Sequence, residues 1–180
     1  AALEARRDLM SSVGEEVEAM TGGRRMDSAL ARCREELDIL ATGSLDGTVR
    51  IWEVDSGELI HTLEGHVDVV WDIAFSPEGG YLATGSGDRT ARIWEIDSGQ
   101  LLHTLVGHTA GVVDVAFNAE GNNLATGSWD KTVRVWEVDS GQLVHVLEGH
   151  ANGVSAIAFS PNGDNLAAGS GSGTVSIWQV

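Results

Sequence analysis

A histidine, a serine and an aspartate recur together twice at the same offsets: His66, Ser86 and Asp88, then His108, Ser128 and Asp130. Residues of these types can activate a hydroxyl nucleophile. Duplication argues against that chemistry, because a hydrolytic centre is built once. A tryptophan follows each aspartate, Trp94 and Trp136, and adds an N–H donor. The set reads better as a buried structural network. The aspartate accepts from the imidazole, the imidazole meets the serine hydroxyl, and the serine accepts from the indole. Each member then satisfies a polar group that burial would otherwise strand. Two less complete copies flank these. Ser44, Asp46 and Trp52 stand with Arg24 at the histidine register. His150, Ser170 and Trp178 stand with Ser172 at the aspartate position.

The elements that must position these residues repeat every 42 residues. ATGS opens at Ala41, Ala83 and Ala125, and AAGS at Ala167; the Gly-His pairs and the tryptophans keep the same interval. A period of this size marks a supersecondary unit that buries its apolar face only against copies of itself. Within one unit, VVWDIAF (Val69–Phe75), YLATGS (Tyr81–Ser86), ARIWEI (Ala91–Ile96) and QLLHTL (Gln100–Leu105) read as strands. The turns SPEGG, GDRT and DSG between them are short, so neighbouring strands pair antiparallel. Fourteen such strands are legible from Ile39 onward.

Composition narrows the function. The chain has 11 basic and 27 acidic residues, a net charge of −16. From residue 39 onward there are 18 acidic and 5 basic residues, a balance of −13. No basic patch is available to displace counterions from nucleic acid or to meet an anionic membrane. Cys33 is the single cysteine, which leaves no intrachain disulfide and no cysteine-rich metal site. No apolar run approaches the roughly 18–20 residues that span a bilayer, and the first residues do not read as a leader. The expectation is a soluble protein of a reducing compartment, cytoplasmic or nuclear, without a cofactor.

Gly-His, Ser-x-Asp 20 residues later and tryptophan six residues after the aspartate resemble the WD40 repeat family over about residues 39–180. The closing dipeptide is Trp-Glu here (Trp52-Glu53, Trp94-Glu95, Trp136-Glu137) and Trp-Gln at Trp178. The resemblance implies four-stranded blades of a β-propeller. About three and a half blades are legible, so the expectation is an open arc, a fragment, or half of an oligomer that closes the ring. It also implies a non-enzymatic scaffold that binds proteins or peptides; a self-associating structural or engineered fragment and an enzyme with a central-channel site are the alternatives. The positions that face partners in the family correspond here to Leu45, Val69, Trp71, Gly87, Gly111, Val113, Trp129, Gly153, Ser155 and Gly171. Trp71 and Trp129 stand out, because neither is demanded by the blade. With so acidic a domain, the complementary partner carries Arg or Lys beside an apolar anchor.

Residues 1–38 differ in character. Leu3, Met10, Val13, Val17 and Met20 fall on one helical face, and Asp27 or Ser28 can cap a short helix carrying Leu30, Cys33 and Leu37. The segment is expected to be a helix for docking or for covering a blade edge, a linker, or a degraded first strand in which Cys33 takes the register of Phe75.

Overall fold

β-Branched and aromatic residues separated by tight turns form 15 strands among the described residues, which are 30–34, by backbone alone, and 39–180 of this computed structural model. They make four antiparallel sheets in chain order. Blade 1 comprises β1 (Leu30–Arg34), β2 (Ile39–Gly43), β3 (Val49–Glu53) and β4 (Leu59–Leu63). Blade 2 comprises β5 (Val70–Phe75), β6 (Tyr81–Ser86), β7 (Thr90–Glu95) and β8 (Leu101–Val106). Blade 3 comprises β9 (Val112–Phe117), β10 (Asn123–Ser128), β11 (Val133–Glu137) and β12 (Leu143–Leu147). Blade 4 has three strands: β13 (Val154–Phe159), β14 (Asn165–Ser170) and β15 (Val175–Gln179).

One expectation is corrected here. Leu30–Arg34 is not a helix but strand β1, paired with β2 so that Cys33 lies opposite Leu40. Phe75 lies opposite Leu82 in the same way in blade 2. The free backbone donors and acceptors along β2 reward a partner strand more than local helical spacing rewards a helix. The other helical expectations, over residues 3–20 and at Leu37, lie outside the described residues.

Successive sheets pack first strand beside first strand, β1 to β5, β5 to β9 and β9 to β13. The core lies between sheets rather than within one. Ala41, Val49 and Ile51 of blade 1 pack on Val70, Ile73, Leu82 and Trp94 of blade 2. Ala91 and Ile93 of blade 2 meet Val112, Val115, Leu124 and Trp136 of blade 3 in the same manner. The glycine of each ATGS string permits this approach. A Cβ on Gly85 would lie 3.0 Å from Val112 Cγ1, and one on Gly127 would lie 2.9 Å from Val154 Cγ1. Along the outer strands, His61 and His103 place Nε2 3.2 and 3.0 Å from the carbonyl oxygens of Asp97 and Asp139 on the following blade. The far face of blade 4 has no such neighbour among the described residues, and Val175 and Ile177 stand 71% and 69% exposed there.

Candidate functional site

The repeated polar network is centred on threonine, not on serine. His66 Nδ1 lies 2.8 Å from Asp88 Oδ2, and its Nε2 lies 2.7 Å from Thr84 Oγ1. The indole N–H of Trp94 donates to the same Thr84 oxygen at 3.1 Å. Blade 3 repeats this with His108, Asp130, Thr126 and Trp136 at 2.8, 2.8 and 2.9 Å. One proton arrangement satisfies all the groups. Nδ1–H donates to the carboxylate, the threonine hydroxyl donates to Nε2, and the indole donates to the threonine oxygen.

The expected serine relay is therefore corrected. Ser86 Oγ donates to the Asp68 carbonyl and accepts the Asp88 N–H, both at 3.1 Å; Ser128 does the same with Ala110 and Asp130. Serine fixes the turn that carries the aspartate. Threonine, two residues earlier on the same side of the strand, faces the imidazole. The signal in the sequence is the threonine that recurs in ATGS at Thr42, Thr84 and Thr126. In blade 1, Trp52 donates to Thr42 at 3.1 Å, while Asp46 accepts from Thr48 and pairs with Arg50 at 3.6 Å.

Charge states follow from this geometry. Burial lowers the His66 and His108 pKa values, and the adjacent carboxylates only partly offset it, so both imidazoles are neutral near pH 7. Burial works to raise Asp130, but bonds from the Thr109 N–H, Thr132 and His108 outweigh it and hold its pKa at about 2. Asp88 is lowered by the same balance, with Thr90 and His66 prevailing over burial. A neutral histidine between an ionised carboxylate and a threonine, with no open face, holds two strands together and leaves no nucleophile exposed.

Blade 4 keeps the imidazole and loses both of its partners. Ser172 replaces the aspartate and Ala168 the threonine. Ser170, Ser172 and Thr174 bond one another at 2.7, 2.9 and 3.1 Å. His150 is buried, and neither ring nitrogen has a partner among the described residues. Trp178 still stands edge-on to it, centroids 5.6 Å apart.

Of the residues expected to face a partner, two converge. Trp71 and Trp129, from neighbouring blades, have ring centroids 5.4 Å apart at 60°. Trp129 is 51% exposed, and a Cβ added to Gly111 would lie 3.2 Å from its ring. Trp71 is half-buried, and its indole N–H is buried without an acceptor among the described residues. Val69 and Val113 are half-buried on their own blades, and Leu45, 43% exposed, lies in the β2–β3 turn. The strand irregularities explain the aim of the first-strand residues. Registers shift between Val70 and Asp72 and across Val113 in β9, which leaves Trp71 and Val113 at β-bulges.

The bulge also turns the next residue inward. Asp72 is buried and accepts the Val115 N–H of blade 3 at 2.9 Å, and Asp114 accepts the Ile157 N–H of blade 4 at 2.6 Å. Asp72 thus joins two blades. Burial, then the bond and charge of Asp72, push Asp114 up to about 8. No group of side chains suited to holding a metal occurs among the described residues.

Single repeats of this chain are similar to repeats of much longer proteins. The match is 51% identical over 43 residues to the F-box-like/WD repeat-containing protein TBL1X of Mus musculus, covering 24% of this chain and 8% of that protein. It is 49% over 43 residues, with the same shares, to TBL1Y of Homo sapiens. It is 60% over 35 residues to the dynein assembly factor with WD repeat domains 1 of Danio rerio, covering 19% of this chain and 8% of that one. The family model for WD40, "WD domain, G-beta repeat", matches residues 33–53, 57–95, 99–137 and 141–179, each ending on its blade's third strand. With four matched stretches over most of its length and a network repeated in blades 2 and 3, the chain belongs to the WD40 repeat family, whose blades are non-catalytic protein-interaction modules.

Proposed function

We propose that this chain is a protein-interaction scaffold of a reducing compartment, whose face around Trp71 and Trp129 receives a protein or peptide bearing an apolar anchor beside Arg or Lys. The observation that carries this is the tryptophan pair itself. Two aromatics from different blades meet at the surface, one of them at a bulge, over glycines that leave the ring of Trp129 accessible. Large aromatics in such a setting dominate binding energy. Asp68 beside Gly87 and the excess of acidic residues favour a basic partner and speed its approach. Peptide selection on the purified protein tests this. The expected peptides place Arg or Lys next to a large apolar residue, bind more weakly in high salt, and lose at least about tenfold in affinity on the Trp71→Ala, Trp129→Ala double variant. Peptides that bind parent and double variant alike remove this face from the proposal.

A second reading, self-association through blade ends, is favoured by a separate observation. Val175 and Ile177 occupy the positions at which Val133 and Val135 are buried in blade 3, and a Cβ on Gly169 would touch nothing within 4 Å. Two chains meeting there would together bring eight sheets, within the blade numbers propellers adopt. A monomeric mass at micromolar concentration by light scattering overturns it.

A further inference from the structure

We propose that blade 4 binds a small carboxylate anion, of the size of formate, against His150 on the solvent side of the position at which blades 2 and 3 hold an aspartate carboxylate, since the Ser172 side chain takes up that position itself. The argument starts from what the aspartate does elsewhere in this molecule. In blade 2, Asp88 Oδ2 takes hydrogen bonds from His66 Nδ1 at 2.8 Å and the Val67 N–H at 3.2 Å, while Oδ1 takes the Thr90 N–H at 2.9 Å and its hydroxyl at 2.6 Å. Blade 3 repeats all four with His108, Thr109 and Thr132 around Asp130. The site is a four-donor clasp for one carboxylate, built twice.

Blade 4 retains the donors. His150, Ala151 and Thr174 hold the corresponding positions. The backbone that shapes the clasp is also kept. Gly171 N–H donates to the Gly153 carbonyl at 3.0 Å, as Gly87 does to Val69 at 2.9 Å. Gly173 N–H donates to Ser170 O at 3.0 Å with φ 79°, where Arg89 has φ 74° and donates to Ser86 O at 3.2 Å. The imidazole keeps its stance, at 73° to Trp178 where His66 stands at 65° to Trp94. Two side chains have changed: Ser172 stands for the aspartate, and Ala168 for the threonine on the other ring nitrogen. The Ser172 hydroxyl is turned to Ser170 and Thr174, and no carboxylate of the described residues reaches His150.

The second observation is the cost of this arrangement. His150 is 6% exposed, and both its nitrogens are buried without a partner among the described residues. A buried imidazole in this state is destabilising until something accepts from it. Replacing Asp by Ser removes the carboxylate and leaves its donors in position. Ser172 and Thr174 above the ring are exposed, which gives a small anion a route in, whereas Ala168 beneath it offers neither donor nor acceptor. A carboxylate rather than a halide is specified, because the clasp presents donors to two separate oxygens.

Thermal melts of the whole chain in sodium formate against sodium chloride at equal ionic strength test the proposal. The expected result is a saturable rise in Tm in formate beyond that in chloride, with a change in the His150 ring nitrogen signals towards the Nδ1–H tautomer. The Ser172→Asp variant supplies the carboxylate covalently and is expected to melt higher than the parent and to show no formate effect. Equal responses to formate and chloride overturn the proposal. So does a formate effect that persists in Ser172→Asp, or one that leaves the His150 signals unmoved.

Discussion

Blades 3 and 4 place the same histidine on the same backbone and give it opposite surroundings. His108 has an acceptor on one nitrogen and a hydroxyl on the other; His150 has neither. Blade 3 also has sheets on both sides, while the far face of blade 4 carries exposed Val175 and Ile177. The contrast separates two sources of stability that a repeat usually confounds. Apolar burial between sheets holds a blade in the row, and the histidine network holds the loop that opens each blade onto its inner strands. Blade 4 keeps the first source on one side and has lost the second. It is therefore the unit expected to open first, since local stability follows the density of satisfied, buried contacts.

Removing the network from blade 3 is the largest single perturbation. Asp130→Ala leaves four donors without an acceptor, including the buried His108 Nδ1. The expected cost is about 3–4 kcal/mol in denaturant melts. Thr126→Val leaves Nε2 and the Trp136 indole unpaired and is expected to cost about 2–3 kcal/mol. Ser128→Ala loses only a turn bond and costs about 1 kcal/mol. A ranking in which Ser128→Ala exceeds Thr126→Val would restore serine to the relay. The network also sets an acid limit. The Asp130 pKa is lowered in the folded state, so its contribution is present above about 4 and is lost as pH falls towards about 2. The lowered His108 acts in the same direction below its unfolded value.

The acidic pair between blades 2, 3 and 4 has the opposite sign. Asp114 is raised to about 8 in the fold, whereas the unfolded chain releases that proton near 4. Stability from this group is full below the unfolded value and declines as pH rises through the folded one. Asp114→Asn keeps an acceptor for the Ile157 N–H and a donor towards Asp72 without the charge. Relative to the parent it is expected to gain stability as pH rises from 5 to 8, reaching on the order of 2 kcal/mol. Parallel pH profiles for the two proteins would show that the pair holds no proton.

Rebuilding the network in blade 4 sharpens the comparison from the other side. Ser172→Asp with Ala168→Thr restores both partners of His150. The expected gain is about 1–2 kcal/mol, smaller than the loss in blade 3 because blade 4 is more exposed. Amide exchange in β13–β15 is the direct reading, with slowing confined to that blade.

Much of the fold was legible because it is repeated. The 42-residue period, the turns and the spacing of Gly-His to tryptophan located β2 to β15 to within a residue or two. β1 was missed as the leading reading because Leu30 and Cys33 sit at helical spacing. Only the open edge of β2, a tertiary feature, decides between strand and helix there. The network members His66, Asp88 and Trp94 could be picked out by type and recurrence. Thr84 recurs as well, but its hydroxyl matters only once alternation along β6 turns it towards the ring. The bulges were invisible for a similar reason. They insert one residue into a strand without changing its composition, yet they send Trp71 to the surface and Asp72 to the seam.

The smallest effect concerns the turn that carries the network aspartate, and it compares all four blades at once. The residue after the aspartate position adopts φ between 74° and 82° throughout: Gly47, Arg89, Lys131 and Gly173. Glycine occupies this left-handed region freely, whereas a side chain there places Cβ against the carbonyl oxygen. Blades 2 and 3 tolerate the strain because Asp88 and Asp130 pin the turn through bonds to Thr90 and Thr132. Lys131→Gly is therefore expected to relieve strain in the fold while loosening the unfolded chain, for a net gain of about 0.5–1 kcal/mol. The same substitution made together with Asp130→Ala should gain less than it does alone, since the turn is then free to relax. A double-mutant cycle on these two positions measures the coupling. Full additivity would mean that the turn geometry is set by the strands on either side and owes nothing to the aspartate.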